Sequence, residues 1–572
     1  MRDTSHGAVR APSAIALVLT AVLAGCGPAD GGATRASAVR PLLDAAEMQA
    51  RLDQFAPTTL SFDTTLLDAR QKGVVHHLVL AARELDRIFL EQAWAGNEDL
   101  MRKLAAAGEG DMDAARAYAE IMYGPWDRLK ESEPFLDVGP RPAGAGYYPE
   151  DMSREEMESW LEAHPEDRDA LTAYNTVVRR SDDGLVAVPY AEAYRDRLEA
   201  AAGHMRQAAS LADNESLRKF LESRAAAFLS NEYFDSEVDW MRLSDNLVDP
   251  TIGPYEVYED NLFGYKAAFE AFLAVRDPAE SARLAELESH LPSLEGALPI
   301  PDEHKNFDRP FTSPISVVDE IYAAGDTRAG IQTIAFNLPN DPVVREQEGS
   351  KKVMLRNVIA AKFVKILRPI AQTVLVESQA AHISVDPYFT RVLMHELAHG
   401  LGPDYVTGQP GLTVNKGLKE RYSAIEEAKA DAVGTHSLRV LTERGVYTDD
   451  FLAQVYIDHV ADMFRCVRFG VSEAHGKGCL TQFNFLREKG AITWDESSGL
   501  FAADLDAMPD AMAELAGRYL MLEATGDYDG AGTFLDRYGQ MSPEMEAAID
   551  RLAAVPVDIR PHYAVVDMMA DW

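Results

Sequence analysis

The residues best placed by type and spacing to do chemistry are His395-Glu396-Leu397-Ala398-His399. Residues four apart lie on one face of a helix, so both imidazoles can reach a single metal ion. A glutamate directly after the first histidine then sits beside that ion, where its carboxylate can take a proton from a water molecule. The pattern predicts zinc held by His395 and His399, with Glu396 as general base. Asp386-Pro387 reads as a helix N-cap followed by proline at the first helical position, and Gly400, Gly402 and Pro403 as the stop.

Two histidines do not complete such a site. Downstream, Ser423 to Leu441 reads as a helix that ends near Gly445, and it carries Glu426-Glu427-Ala428-Lys429-Ala430-Asp431. Glu427 and Asp431 are four apart and share a face. One carboxylate can bind the metal while the other accepts the free ring N–H of a ligand histidine. A fourth position then stays open for water, as in catalytic rather than structural zinc sites. The metzincin extension fails here, because its third histidine would fall at position 405, which is Tyr405.

The elements that must position these groups are mostly helical. Helical spacing is visible from Ala45, over Val74 to Trp94, from Ser153, and over Asn214 to Leu229 with Leu217, Phe220, Leu221 and Ala225 on one face. Pro140 to Pro149 reads as a loop. Short β-prone runs occur at Ile315 to Val318 and Thr333 to Phe336, helix returns from Val353 to about Ala554, and the tail from Val555 to Met569 is β-like. The expected fold class is α+β and mostly helical: two lobes around a cleft, a mixed lobe with a small β-structure at 46–365 and a helical zinc lobe at 366–572. The C-terminal tail is free to return to the first lobe. Arg2 and Arg10, the apolar run Ala14 to Ala24 and Leu23-Ala24-Gly25-Cys26 read as a lipoprotein signal at 1–25, with Cys26 acylated and a flexible tether at 26–45. That predicts export and lipid anchoring at a bacterial cell envelope. Cys466 and Cys479 are compatible with one disulfide or with two free thiols.

The 572 residues are 47% hydrophobic and 26% charged, a composition that supports a folded core. The net charge of −37 repels phosphate and argues against nucleic acid as a partner; such acidity mostly serves solubility, with attraction of cations such as peptides with a free amino terminus as the second reading.

Several separated segments resemble the dipeptidyl peptidase III family of zinc exopeptidases. They are the Glu426 to Asp431 helix, Tyr255-Glu256-Val257-Tyr258-Glu259-Asp260 with Phe263-Gly264, Asn337-Leu338-Pro339-Asn340 with Gly349 and Asn357, and Glu473-Ala474-His475. The resemblance implies one zinc per chain with Glu427 as third ligand, and Glu426 and Asp431 orienting the histidines. It further implies that Tyr258 hydrogen-bonds the scissile carbonyl and that His475 stabilises the transition state. Glu256, Asn337 and Asn340 would receive the substrate's amino terminus. The implied activity is release of dipeptides from short peptides. The chain departs from the family in having plain HExxH where the family has one further residue before the second histidine, and in having Cys479 where larger members carry a basic residue. A zinc-binding lipoprotein without turnover, and a zinc hydrolase of non-peptide amides, are the competing readings. Retention of Glu396, which a purely structural site does not need, favours catalysis.

Overall fold

The computed structural model describes residues 39–107, 112–307, 315–468, 470–471 and 474–572. The leader, Cys26, most of the tether and Glu473 lie outside them. Within the stretch assigned to the tether, Leu42 N–H donates to Phe135 O and Asp137 N–H donates to Arg40 O, so regular pairing has begun by residue 40.

A five-stranded sheet carries the middle of the chain. Its spatial order is Val248–Pro254, Phe269–Arg276, Ile315–Gly325, Lys351–Leu355 and Ala335–Leu338. All neighbours are antiparallel except Ile315–Gly325 with Lys351–Leu355, which run parallel. Two of these strands are invisible to an alternation rule. Phe269–Arg276 is buried along almost its whole length, with the long helix Ala69–Ala93 packed on it, so Ala271 to Val275 read as a continuous apolar run without alternation. Val248–Pro254 contains two prolines, which cannot donate to a ladder and are tolerated because this strand is a sheet edge. The opposite edge, Ala335–Leu338, lies two residues beyond the sequence expectation. Val353, expected to begin a helix, lies in the strand Lys351–Leu355, and the helix starts at Arg356.

The tail from Val555 is a strand only over Asp558–Tyr563, then a helix over Ala564–Met568. That strand pairs in parallel with Phe55–Leu60, so the end of the chain returns to its beginning. The helix expected over Asn214 to Leu229 runs Glu215–Ser230 with Asn214 as its N-cap, and Leu217, Phe220, Leu221 and Ala225 are buried.

Helices dominate after residue 356. The motif helix is Val385–Ala398, capped in backbone geometry by Ser384. Asp386 is therefore not the cap; its carboxylate is occupied by Arg283 Nη1 at 2.5 Å. The acidic helix is Tyr422–Glu443, and Gly445 with φ +80° follows it. The helix Ala474–Glu488 packs against the acidic helix and against Asp449–Val467. Cys466 and Cys479 are free thiols. One buried apolar cluster runs from Leu60 to Met569 through sheet and helices alike. Among the described residues no helix is long and apolar enough to cross a membrane.

Candidate metal centre

Two glycines let the site helices approach closely. A Cβ on Gly434 of the acidic helix would meet Met394 C and O at 2.8 Å and His395 N at 2.9 Å. The acidic helix thus lies directly on the backbone of the motif helix, at the first histidine. Glu427 is two turns and Asp431 one turn before Gly434, so both carboxylates share the contacting face. Gly478 lies against Ala428 Cβ and Ala424 O, which brings the helix carrying His475 onto the same element.

The three groups that result converge. His395 Nε2 and His399 Nε2 are 3.2 Å apart. Glu427 Oε2 is 3.4 Å from the first and 3.8 Å from the second. A tetrahedral ion with bonds of about 2.0–2.1 Å places its ligand atoms about 3.3 Å apart, so these residues fit a metal of zinc's size. Glu427 Oε2 is buried and makes no hydrogen bond among the described residues, as expected of an atom aimed at a ligand position. His395, His399 and Glu427 are the one group of this kind found among the described residues.

The far nitrogens are held from behind. His395 Nδ1 lies 2.8 Å from Asp431 Oδ1, and His399 Nδ1 lies 2.7 Å from Glu426 Oε1. A carboxylate behind each ring fixes the tautomer that leaves Nε2 free to bind. These carboxylates are themselves secured. Lys429 Nζ donates to Glu426 at 3.0 Å, and Gln482 Nε2 donates to Asp431 Oδ2 at 3.1 Å. Burial opposes ionisation of Glu426, but Lys429 and His399 outweigh it and hold its carboxyl far below the usual range. Burial pushes the Glu523 carboxyl well up against the pull of Lys429, and the neighbouring Glu426 adds to the rise. Burial alone would lower the pKa of His395; Asp431 and then Glu427 reverse this and push it up to about 10. The site is rich in negative charge and draws cations.

Glu396 lies beside this group. Burial would raise its pKa, but Lys352, followed by His395, holds it below the ordinary value, so it is a carboxylate at neutral pH. His475 Nδ1 is 3.3 Å from Glu427 Oε2, and its side chain is 58% exposed. The structure therefore brings His395, Glu396, His399, Glu426, Glu427, Asp431 and His475 together.

The other predicted residues gather around the sheet. A cavity of about 290 Å³ is lined by Tyr255, Glu256, Tyr258 and Asn340, among others. Asn340 Nδ2 donates to Tyr255 O at 3.1 Å. Tyr258 is 77% exposed on the cavity wall. Asn337 is exposed on the edge strand, directly opposite Lys352. Sequence reasoning missed two acids within electrostatic reach of Glu256, namely Glu270 and Asp326. Loss of water, and then repulsion by Asp326 and Glu256, pushes Glu270 well up. Loss of water, then Glu259 and Glu256 among its neighbours, pushes Asp326 up to about 7. Glu259 itself is neutralised by Arg128 and Arg141. Repulsion among Glu256, Glu270 and Asp326 thus disfavours their ionisation. Lys352, Gln482 and Glu523 were also missed, because their contacts depend on strand register and tertiary packing. The mid-helix Gly434 was a legible signal of close approach.

A helical metal group of two histidines and a glutamate, with a glutamate next to the first histidine, defines a metallopeptidase site. The model of Peptidase family M49 matches residues 185–417. The structure of DPP III from Caldithrix abyssi aligns at a TM-score of 0.88 with 46% identity, over 92% of this chain and 100% of that chain. The structure of dipeptidyl-peptidase III from Corallococcus sp. strain EGB aligns at 0.76 with 40% identity, over 93% and 99%. In sequence the chain is 35% identical to Nudix hydrolase 3 of Arabidopsis thaliana over 91% of this chain and 74% of that protein. The chain belongs to peptidase family M49, the dipeptidyl peptidase III family, and is a metallopeptidase of the dipeptidyl-peptidase type.

Proposed function

We propose that the protein binds one zinc ion through His395, His399 and Glu427 and releases dipeptides from the amino terminus of short peptides. The observation that carries this reading is the convergence of His395 Nε2, His399 Nε2 and Glu427 Oε2 while a carboxylate holds each imidazole from behind.

Zinc, when bound, supplies Lewis-acid polarisation of the carbonyl and lowers the pKa of water towards about 7. Glu396, ionised beside the site, takes the proton of the attacking water and returns it to the leaving amine. His475 and Tyr258 donate to the oxygen that gains negative charge, a contact commonly worth about 3–4 kcal/mol. Glu256, Asn337 and Asn340 receive the α-ammonium and so set the cut two residues in. Glu256 and Asn340 sharing one cavity wall supports this. Export and acylation at Cys26 belong to the same proposal and rest on the leader sequence.

The test is a pair of variants assayed for metal and for dipeptide release. Glu427→Ala should weaken zinc binding by more than about 100-fold, since loss of an outer partner alone costs about 10–100-fold. Glu396→Ala should retain the metal and lose activity. Undiminished zinc affinity in Glu427→Ala would place the third ligand elsewhere.

A further inference from the structure

Glu396 is gripped from the sheet. Lys352 Nζ lies 2.6 Å from Glu396 Oε2, with the two side chains 16% and 18% exposed. The same ammonium donates to the backbone carbonyl of Glu396 at 3.3 Å. That carbonyl belongs to the last turn of the motif helix, where acceptors have no partner within the helix and a cation is favoured. Lys352 therefore holds one residue at both its side chain and its backbone.

The other end of Lys352 is equally fixed. It is paired directly with Asn337 across the antiparallel strands Lys351–Leu355 and Ala335–Leu338. Directly opposed residues carry their side chains on the same face of a sheet, with Cβ atoms about 4.5–5.5 Å apart. Three residues beyond Asn337 is Asn340, which is bonded to Tyr255 and lines the cavity with Glu256. One short sheet edge thus bears Asn337 and leads into Asn340, two of the three contacts assigned to the substrate's amino terminus, beside the grip on Glu396.

We propose that Lys352 is a positioning residue. It ties Glu396 to the edge carrying Asn337 and Asn340, so that strand register sets the distance from the bound amino terminus to the proton-accepting oxygen. This rests on the reading of Glu396 as base and of the two asparagines as amino-terminus contacts. Lys352 occupies Oε2 and leaves Oε1 to the water; it makes and breaks no covalent bond itself.

The experiment uses the full zinc-loaded chain and a hexapeptide with a free amino terminus, comparing the parent with Lys352→Met and Lys352→Arg. All three should hold equal zinc. Lys352→Met should lose about 10–100-fold in kcat, the range typical of a lost supporting contact. KM should stay within about threefold, because the interaction acts on the base rather than on bound substrate. Lys352→Arg, which restores the cation, should recover most of the rate. Lys352→Gln repeats the comparison without charge should the methionine variant not fold. An unchanged or higher kcat in the neutral variant overturns the proposal, as does a loss confined to KM. A parent that releases no dipeptide sinks the underlying reading, and this inference with it. A parent that does so alongside an unimpaired Lys352→Met sinks this inference alone.

Discussion

At Asp326 and Glu256 the electrostatics turn into a pH dependence. Asp326 keeps its proton up to about pH 7, because loss of water and then the neighbours Glu259 and Glu256 disfavour its charge, against the pull of Arg128. A bound ammonium favours the ionised form. Below pH 7 a peptide must therefore displace that proton, so its affinity should rise with pH, by up to about tenfold per unit for one proton, and level off above 7. The peptide's own amino group keeps its charge until about 7.7–8.0. The inactive Glu396→Ala variant allows this to be measured as a dissociation constant between pH 5 and 7.5. Asp326→Asn should flatten the profile; an identical slope in that variant would show that Asp326 does not set the pH dependence. His395, Glu396 and His399 were legible because a helix converts sequence spacing directly into spatial spacing. Asp326 and Glu270 were not, since an acid in a chain of net charge −37 reads as solvated surface until the fold strips its water away.

At the level of elements, the site depends on how closely two helices approach. Gly434 is the point where the acidic helix meets the backbone at Met394 and His395. In an ordinary helix interior, alanine for glycine stabilises by up to about 1 kcal/mol. Here the sign should reverse. Overpacking should cost about 1–3 kcal/mol, and retreat of the acidic helix should weaken metal binding about tenfold or more. Thermal unfolding and zinc titration of Gly434→Ala decide the matter, and an equal or higher Tm with unchanged zinc affinity would contradict the close approach. The acidic helix was legible from spacing and its Gly445 stop. Phe269–Arg276 was not, because a strand covered on both faces loses the alternation by which strands are recognised. The expected N-cap at Asp386 failed for a local reason, since a salt bridge to Arg283 from a distant helix claims that carboxylate.

For the whole molecule, chemistry is divided between a helical metal group and a sheet-borne cavity. Tyr258, Asn340 and Glu256 lie far before the zinc motif in sequence, and only the resemblance to the dipeptidyl peptidase III family placed them in one site. Export is argued at this scale too. If Cys26 is acylated, Cys26→Ser should move the protein from the membrane fraction to a soluble or unprocessed form, as followed by fractionation; equal membrane retention would count against the anchor. The central claim, that a zinc site and an ammonium pocket together cut two residues in, is tested most directly by mass spectrometry. One zinc-quantified sample is given a hexapeptide with a free amino terminus and the same peptide acetylated. The free peptide should lose its first two residues as a dipeptide. Acetylation removes the charge and leaves the acceptors of Glu256, Asn337 and Asn340 short of donors, so the capped peptide should react at least about 100-fold more slowly. Internal cleavage of the capped peptide at the same rate would contradict the account.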